Sequence, residues 1–399
     1  LPAGWTGAID AEGDALCVQE TGGKKLVETT VPSCGWTTLR KGDGPRAKCD
    51  GGACRVVAEP RRLENDQLRV EFNDRAEIVS VFDKTSGREL LAGPSNVFRL
   101  YKDVPGQYDA WDIDSMYRET PVDLGDAPAG IEVVASGPLV ATLRATRRLH
   151  DSTVTQEISL RRGARRVDFR TTVEWKECHK LLKVCFQPDL YANEAIHEIQ
   201  FGHIRRPNHG SRPFDADRFE VANHKWTALA EENRGFAVLN DCKYGVNVIG
   251  KSINLSLLRA PKAPDMTADL GTQEFTYAFY AWNGSLAESD VVRQGYELNI
   301  APLTVPGNAG TESLLEVDAG NVVVEAVKPA EDGSGDVIVR LYEAKRMAVR
   351  CGLTVRLPFR AAELSDMVEE KSLGKLDSRN GKIALEFRPF EVKTIRLKK

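Results

Sequence analysis

The sequence predicts an all-β fold, and three observations support that prediction. Apolar and polar residues alternate at period two in many short runs. Clusters of Gly, Pro, Asn, Asp and Ser separate these runs, as turns separate strands. Helical periodicity is scarce along the 399 residues, and the best stretch, from Phe219 to Glu232, mixes both periods. At roughly 150 residues per domain, this length predicts two to three domains.

The clearest alternating runs are predicted to be strands. They are LRVEF from Leu68, EIVSVF from Glu77, VTQEISL from Val154, VDFRTTVEW from Val167 and GDVIVRLYEA from Gly335. Residues 83–87 and 161–166 are predicted to form hairpin turns, and the arginines of the second turn are expected to be solvated. Residues 312–399 contain about five alternating runs, which predict a supporting sheet with one face in water.

Two stretches rich in Pro and Gly interrupt the strand pattern, at residues 41–54 and 301–312. Such composition is typical of turns and of linkers between domains. We therefore predict a small N-terminal β-domain at 1–60, a large β-domain at 61–303 and a C-terminal β-sandwich at 304–399.

Composition and charge exclude two classes of partner. The 54 Lys and Arg against 58 Asp and Glu give a net charge of −4, without the basic excess of a nucleic-acid-binding protein. No apolar stretch approaches the roughly 18 residues that a membrane helix needs, so no membrane partner is predicted. The eight cysteines form no CxxC pair and no zinc framework, and we expect free thiols. A disulfide between Cys49 and Cys54 is an alternative that the sequence leaves undecided.

Three long stretches of the large domain lack periodicity, at residues 102–118, 203–218 and 258–273. Connections longer than about 12 residues are usually functional in a compact domain. The first contains Tyr108, Asp109, Trp111 and Asp112 in the run YDAWD. Aromatic rings beside carboxylates suit a sugar, because its C–H faces stack on rings and its hydroxyls donate to carboxylates. The open alternative is a polar loop pinned by its own Asp side chains.

The second stretch combines His, Arg and Asp, the third combines Arg, Lys and Asp, and neither contains a catalytic motif. The third contains Arg259 and Asp265. The run IHEIQFGH, which ends at the first residue of the second stretch, places His197 and His203 six residues apart rather than four, so they would not share a helix face as the ligands of a zinc protease do.

Six segments carry a resemblance to a known family. They are LENDQLRVEFND from Leu63, SVFDKTSGREL from Ser80, YDAWDID from Tyr108, RFEVANHKWTALAE from Arg218, GFAVLNDCKYG from Gly235 and LSLLRAPKAPDMTADLGTQEFTYAF from Leu255. The chain resembles the C-terminal half of glycoside hydrolase family 38 α-mannosidases, in the branch of bacterial, fungal vacuolar and animal cytosolic members. This resemblance implies that 61–303 is a supersandwich similar to galactose mutarotase, flanked by two smaller β-domains.

The resemblance also implies what this chain lacks. Family members have an N-terminal β/α barrel that supplies the zinc ligands (two Asp and two His) and an Asp nucleophile, and no such barrel or HxD motif is present. We therefore expect a fragment of an α-mannosidase that removes terminal α-mannose from oligosaccharides through a covalent mannosyl-enzyme with retention. The fragment alone is expected to be inactive and free of stoichiometric zinc. A start at Leu1 likewise predicts upstream sequence, and the branch implies a cytoplasmic location.

By the same resemblance, Arg259 is the family's substrate-positioning arginine. The resemblance also implies that the stretch from Tyr108 to Asp112, which includes Trp111, supplies an aromatic and polar wall to the site. A guanidinium is always charged and forked, so it can hold a sugar hydroxyl and a carboxylate together. Asp265 is the expected carboxylate partner, and replacing Arg259 by Ala is expected to change folding little.

The second loop departs from the family's usual run, which leaves the roles of Arg212 and Asp217 open. Two other functions also stay open at this level. A stand-alone epimerase would need a His acid and a Glu base, for which His150, His179 and Glu174 are present without a motif. A non-catalytic carbohydrate-binding β-protein would need neither. The sequence does not decide whether the chain forms a homo-oligomer.

Overall fold

A computed structural model describes residues 1–42 and 56–399. Within that part of the chain nearly every regular element is a strand, which confirms the predicted all-β fold. The proposed Cys49–Cys54 disulfide lies outside the described residues. Elsewhere the expected free thiols are present at Cys34, Cys178, Cys185, Cys242 and Cys351. Neither α-helix of the described part is long and apolar enough to cross a membrane.

The first strands form small ribbons and one five-stranded sheet. Their bounds are β1 (Gly7–Ile9), β2 (Val18–Thr21), β3 (Lys24–Val27), β4 (Gly35–Trp36), β5 (Arg40–Gly42), β6 (Val57–Glu59), β7 (Arg62–Glu64), β8 (Leu68–Phe72), β9 (Ile78–Asp83) and β10 (Arg88–Glu89). The five-stranded sheet has the order β10-β9-β8-β7-β6. The hairpin of β6 and β7 spans the predicted boundary at residue 60. We therefore propose that the N-terminal unit ends before Val56, which is buried in the central core.

Two larger sheets follow along the chain. Their strands are β11 (Val97–Lys102), β12 (Pro121–Val122), β13 (Gly130–Ala135), β14 (Val140–Leu149), β15 (Ser152–Arg161), β16 (Arg166–Trp175), β17 (Lys180–Phe186), β18 (Glu194–Ile199), β19 (Gly202–Pro207), β20 (Val221–Ala222), β21 (Trp226–Ala230), β22 (Arg234–Asn240), β23 (Gly245–Ile249), β24 (Ser252–Leu258) and β25 (Gly271–Asn283). One sheet has the order β12-β11-β17-β24-β23-β20, and the other has the order β13-β14-β15-β16-β25-β22-β21-β18-β19. A 3-10 turn (Tyr117–Glu119) and two helices, α1 (Pro213–Ala216) and α2 (Val291–Asn299), lie in their connections and at their end.

The two larger sheets and the five-stranded sheet share one apolar core. In β16, Val167, Phe169 and Val173 are buried while Glu174 is exposed, as the period-two pattern predicts. Phe169 stacks on Tyr277 of β25 with ring centroids 5.1 Å apart. Aromatic side chains dominate such a core because each one buries a large apolar area.

The stretch from Phe219 to Glu232 contains strands β20 and β21 rather than a helix. Four consecutive residues of β21, Trp226–Leu229, are buried. Helix α2 and the C-terminal part cover the second face of this strand, since Trp226 belongs to a cluster with Val291 and Tyr342. A strand that is covered on both faces loses its alternation, which explains the mixed periodicity of the sequence.

The turn between β15 and β16 differs from the expected solvated arginine cluster. Arg165 donates two hydrogen bonds to Asp83, at 2.9 and 2.8 Å, and the Asp83 side chain is fully buried. Arg166 is also buried and bonds to Asp168. The expectation is therefore wrong for these two arginines, because Asp83 of β9 pairs with Arg165 and Asp168 of β16 pairs with Arg166.

The C-terminal part forms a two-sheet sandwich. Its strands are β26 (Glu312–Ser313), β27 (Leu315–Val317), β28 (Val322–Pro329), β29 (Val337–Glu343), β30 (Val349–Val355), β31 (Ala361–Ser365), β32 (Ser372–Leu376), β33 (Ser378–Arg379), β34 (Lys382–Phe387) and β35 (Val392–Lys398). The sheet orders are β27-β30-β34-β33 and β28-β29-β35-β31-β32, around a core of their own. β26 pairs with β4, so the start of the C-terminal part contacts the N-terminal strands.

Candidate functional site

Three connections leave the six-stranded sheet at the same end. Strand β11 ends and β17 begins there, because Lys102 pairs with Lys180. Strand β24 also ends there, because Leu258 pairs with Leu182. Residues 103–116 (the first loop), residues 176–179 and residues 259–270 (the third loop) are therefore neighbours in space. We call this end of the sheet, with its two loops, the loop edge.

Arg259 begins the third loop, and its partner is Asp103, the first residue of the first loop. Nε donates to Oδ2 of Asp103 at 2.6 Å and Nη2 donates to Oδ1 at 3.0 Å. Asp103 is 2% exposed. The prediction that Asp265 is the partner of Arg259 is wrong. Oδ1 of Asp265 accepts hydrogen bonds from the N–H and the O–H of Thr267 instead. The Thr267 N–H, followed by its hydroxyl, holds the pKa of Asp265 below its usual range on this exposed turn.

The same guanidinium binds the backbone of the first loop. Nη2 donates to the carbonyl oxygens of Asp109 and Asp112, at 3.4 and 2.5 Å, and Nη1 donates to that of Ala110, at 3.3 Å. Arg259 and residues 108–112 therefore lie at one edge of the sheet, which confirms the expectation that they are neighbours. Most of the side-chain N–H groups of Arg259 donate to acceptors of the protein itself, so the main contribution of Arg259 in this structure is to organise the first loop.

The Asp109 carboxylate joins the first loop to the third loop. Its Oδ2 accepts the backbone N–H groups of Lys262 and Ala263, at 2.6 and 3.1 Å, and lies 3.0 Å from Nε2 of His179. The Lys262 N–H first, and the His179 ring second, hold the pKa of Asp109 below its usual range. The Asp109 carboxylate is therefore ionised at neutral pH and braces the two loops. This arrangement corresponds to the alternative raised from the sequence, a polar loop pinned by its own Asp side chains.

The aromatic side chains of the first loop point to solvent. Tyr108 and Trp111 are 62% and 72% exposed, and their rings meet edge to face with centroids 6.5 Å apart. Val104, Met116 and Met266 at the same edge are also exposed. Large apolar side chains grouped at one exposed edge are typical of a binding surface. Asp112 is exposed beside them.

The second loop has separate contacts. Asp215 accepts two hydrogen bonds from Arg212 and also lies within salt-bridge distance of Arg218. His203 lies on β19 instead, buried against Ala344 and Phe390 of the C-terminal part. Burial lowers the pKa of His203 to about 4. Asp215 is therefore tied to the two arginines of its own loop, and His203 is tied to the C-terminal part.

The sequence does not assign Asp103 or His179 to the loop edge, and it offers His179 only as a candidate acid of an epimerase. Asp103 directly follows β11 and His179 directly precedes β17, and neither strand is among the alternating runs predicted from the sequence. Their position becomes significant only when β11, β17 and β24 are known to be neighbours, and strand order cannot be read from periodicity.

A buried polar cluster was also missed, on the six-stranded sheet. Lys183 of β17 donates to Glu220 at 2.5 Å and to Ser256 at 2.8 Å. The Tyr117 hydroxyl donates to the same Glu220 oxygen. Lys183 is 1% exposed, and burial lowers its pKa. The sequence assigns Lys183 to no site, and lysines are mostly surface residues that are almost never fully buried unless paired.

Among the described residues, one group of His, Asp and Glu brings its ligand atoms within 4.8 Å of one another, namely His150, Asp151 and Glu177. The Glu177 carboxylate already accepts Ser152 Oγ at 3.0 Å, and His150 Nδ1 lies 2.9 Å from it. This group does not match the two Asp and two His implied for the family's zinc. The described residues therefore do not fit that metal.

The same contacts argue against the stand-alone epimerase. His150 is paired with Glu177, His179 with Asp109, and Glu174 accepts the hydroxyl of Thr272. The three candidate residues thus have three different partners, and neither His150 nor His179 is paired with Glu174 as the proposed acid and base would be.

Comparison with known proteins gives a consistent result. The family description "Glycosyl hydrolases family 38 C-terminal domain" matches residues 63–267, and "Glycosyl hydrolases family 38 C-terminal beta sandwich domain" matches residues 321–395. The chain is 38% identical over 392 residues to alpha-mannosidase 2C1 of Homo sapiens, which covers 94% of this chain and 37% of that protein. It is 33% identical to alpha-mannosidase G of Dictyostelium discoideum, over 84% of this chain and 32% of that protein.

Among solved structures, an alpha-mannosidase from Enterococcus faecalis V583 has the same fold. The TM-score is 0.79 at 15% sequence identity, over 98% of this chain and 51% of that chain. The chain thus spans about a third of the length of the curated relatives it matches and about half of this structure.

Proposed function

Because the chain belongs to glycosyl hydrolase family 38, we propose that it is the C-terminal part of an α-mannosidase that hydrolyses terminal α-D-mannose residues. The observation that carries this proposal is 38% identity along 94% of the chain to a protein named alpha-mannosidase. The nucleophile and the general acid of a retaining glycosidase are two carboxyl groups roughly 5–5.5 Å apart. In this proposal both belong to the part of the protein outside this chain.

The proposed role of this chain is to hold a wall for the sugar at the loop edge. Tyr108 and Trp111 would supply apolar faces, and Asp112 and Asp265 would supply acceptors for hydroxyl groups. Their exposure supports this assignment. Asp109 and Arg259 belong to the same proposed wall but act through the loop backbone, because their polar atoms are largely engaged.

The proposal includes zinc in the intact enzyme, bound by residues outside this chain, where it would hold and polarise sugar hydroxyls. The partner of the loop edge is the catalytic domain of the same polypeptide. A cytoplasmic location is proposed from the branch that the sequence resembles. The free thiols of Cys34, Cys178 and Cys242 are compatible with a reducing compartment.

The test compares this chain with the full-length protein encoded by its gene. We expect the full-length protein to bind zinc stoichiometrically and to hydrolyse an aryl α-mannoside with retention. We expect this chain alone to do neither. Elemental analysis and a chromogenic assay measure both quantities. Saturable hydrolysis by residues 1–399 alone, abolished by replacing one carboxylate in 61–303, would refute the proposal.

A further inference from the structure

His179 lies where the two loops of the loop edge meet. It precedes β17, between the ends of β11 and β24. Its backbone N–H donates to the carbonyl oxygen of Ala260 at 2.9 Å, and its own carbonyl oxygen accepts the N–H of Asp103 at 2.9 Å. One residue thus bonds to the starts of both loops through its main chain.

The side chain of His179 bonds to the same two loops. Its Nε2 lies 3.0 Å from Oδ2 of Asp109, the oxygen that also accepts Lys262 N–H and Ala263 N–H. An ionised carboxylate can only accept, so Nε2 carries the proton and donates. The imidazole therefore orients the carboxylate that ties the first loop to the third loop.

The backbone of His179 is held in an unfavourable conformation. Its φ is 49°, in the left-handed region where a side chain other than Gly costs about 1 kcal/mol or more. The side chain is 33% exposed, so burial in the core does not explain why this conformation persists. In this conformation His179 makes its contacts to Ala260, Asp103 and Asp109.

From this geometry we propose that His179 is a positioning residue for the substrate-facing edge, acting through Asp109 on the first loop and on Arg259. The inference rests on the proposed function, which it deepens. Asp109 and Asp112 offer their carbonyl oxygens to Arg259, so the place of the guanidinium depends on the loop that the Asp109 carboxylate fixes. The positions of Tyr108 and Trp111 depend on the same segment.

The first measurement is amide hydrogen exchange, which does not depend on enzymatic activity. In His179→Asn the left-handed backbone is retained, because Asn tolerates it, but the shorter amide does not reach Asp109. Amide hydrogen exchange of Lys262 and Ala263, measured on residues 1–399, should become at least about tenfold faster, as expected for the loss of a hydrogen bond to a charged group. His179→Gln restores a donor at the reach of Nε2 and should recover most of the protection.

The matched control is His150→Asn. His150 also has a left-handed backbone, with φ 56°, and its ring also lies 2.9 Å from a carboxylate, that of Glu177, but it is at the β14–β15 hairpin tip. Exchange of Lys262 and Ala263 should be unchanged in this variant. Unchanged exchange in His179→Asn, or an equal increase in His150→Asn, overturns the proposal.

The second measurement uses the full-length protein and an aryl α-mannoside. His179→Asn should lower kcat/KM by about tenfold, mainly through KM, with partial rescue by Gln, because the residue acts on binding rather than on the chemical step. Faster exchange with unchanged kcat/KM would reduce His179 to a structural residue and overturn the proposal. A wild-type full-length protein without mannosidase activity would instead refute the proposed function, while the exchange result would still decide whether His179 fixes the loops.

Discussion

Arg259 and Asp103 form a pair whose carboxylate is almost completely removed from solvent. Two parallel N–H···O contacts fix the plane of the guanidinium. Its Nη1 and Nη2 also donate to the carbonyl oxygens of Asp109, Ala110 and Asp112. Bidentate geometry adds direction to the charge interaction. Removing one partner of such a pair leaves an uncompensated buried charge, which is strongly destabilising. The role proposed for Arg259 in substrate positioning and its role in stability therefore depend on the same contacts.

Replacing Arg259 by Ala tests both roles. With Asp265 as the partner, the sequence predicts little change in folding, but the pair with Asp103 predicts a loss of about 3 kcal/mol in the free energy of unfolding. In the full-length enzyme kcat/KM should also fall by one to two orders of magnitude, roughly 1.4–2.7 kcal/mol. Urea unfolding and mannoside kinetics measure the two effects.

The double variant Arg259→Ala with Asp103→Ala separates these roles. It removes the unpaired carboxylate, so stability should partly recover while kcat/KM should stay low. Recovery of kcat/KM together with stability would contradict a role at the site.

Two buried histidines predict acid sensitivity. Burial lowers the pKa of His197 to about 3 and that of His203 to about 4. Unfolded chains bind a proton on each imidazole near pH 6.5, so the folded state is favoured above that pH and loses stability as the pH falls toward the folded pKa. Between pH 6.5 and 5 each histidine should remove roughly 1–2 kcal/mol from the free energy of unfolding.

The variant His197→Asn checks this prediction. Its Nδ2 can replace the ring nitrogen that contacts Thr227 Oγ1, while the titrating group is lost. The slope of unfolding free energy against pH should become shallower between pH 6.5 and 5. His209→Asn, at an exposed position, should leave the slope unchanged. Equal slopes in wild type and His197→Asn would show that His197 does not titrate on unfolding.

Among the strands, β17 combines an apolar face with a buried charge. Leu182 and Val184 contribute to the main core, while Lys183 between them is paired with Glu220 next to β20. The pair joins the middle of the six-stranded sheet to its edge strand. Tyr117 and Asn247 also bond to Glu220, which anchors the 3-10 turn after the first loop. The cluster thus stabilises both the sheet and the loop above it.

Replacing Glu220 by Gln should destabilise the fold by about 3–5 kcal/mol, because Lys183 is left buried without a counter-charge. The Lys183 pKa is already lowered by burial, so stability of this variant should rise with pH as the lysine releases its proton in the folded state but not in the unfolded state. The double variant Glu220→Gln with Lys183→Met should recover stability and lose this pH dependence. Thermal melting between pH 7 and 9 measures both. A single variant as stable as wild type would contradict the importance of the pair.

The sequence predicted strands better than it predicted contacts. Runs such as β8 and β16 are half-buried, so their period-two pattern is visible, whereas β21 is covered on both faces and its pattern is mixed. The loops of the candidate site were located correctly because they lack periodicity. The partner of Arg259 was not predicted correctly, because Asp103 lies 156 residues away in the sequence. The two residues meet only because β11, β17 and β24 pair in one sheet.

The whole chain consists of a central set of sheets with a separate sandwich packed against it. Phe390 of the sandwich packs on Gly202 and His203 at the start of β19, and Tyr342 of β29 joins the cluster that contains Trp226. The Tyr296 hydroxyl of α2 lies 3.0 Å from that of Tyr342. These contacts are at β18, β19, β21 and α2, whereas the loop edge is built from β11, β17 and β24. The sandwich therefore supports the central sheets from another part of the molecule.

This separation predicts that the sandwich affects stability without affecting catalysis. A Cβ at residue 202 would lie 2.6 Å from Cδ1 of Phe390, so Gly202→Ala forces the packed ring to move. Overpacking of this kind costs about 1–3 kcal/mol and should lower the melting temperature of the full-length enzyme by a few degrees. Because the loop edge is untouched, kcat/KM and substrate preference should be unchanged below the transition. Leu373→Ser, at a position 64% exposed on β32, is the matched control and should change neither quantity. A large fall in kcat/KM at an unchanged melting temperature, from either variant, would assign the sandwich a part in the chemistry and contradict its supporting role.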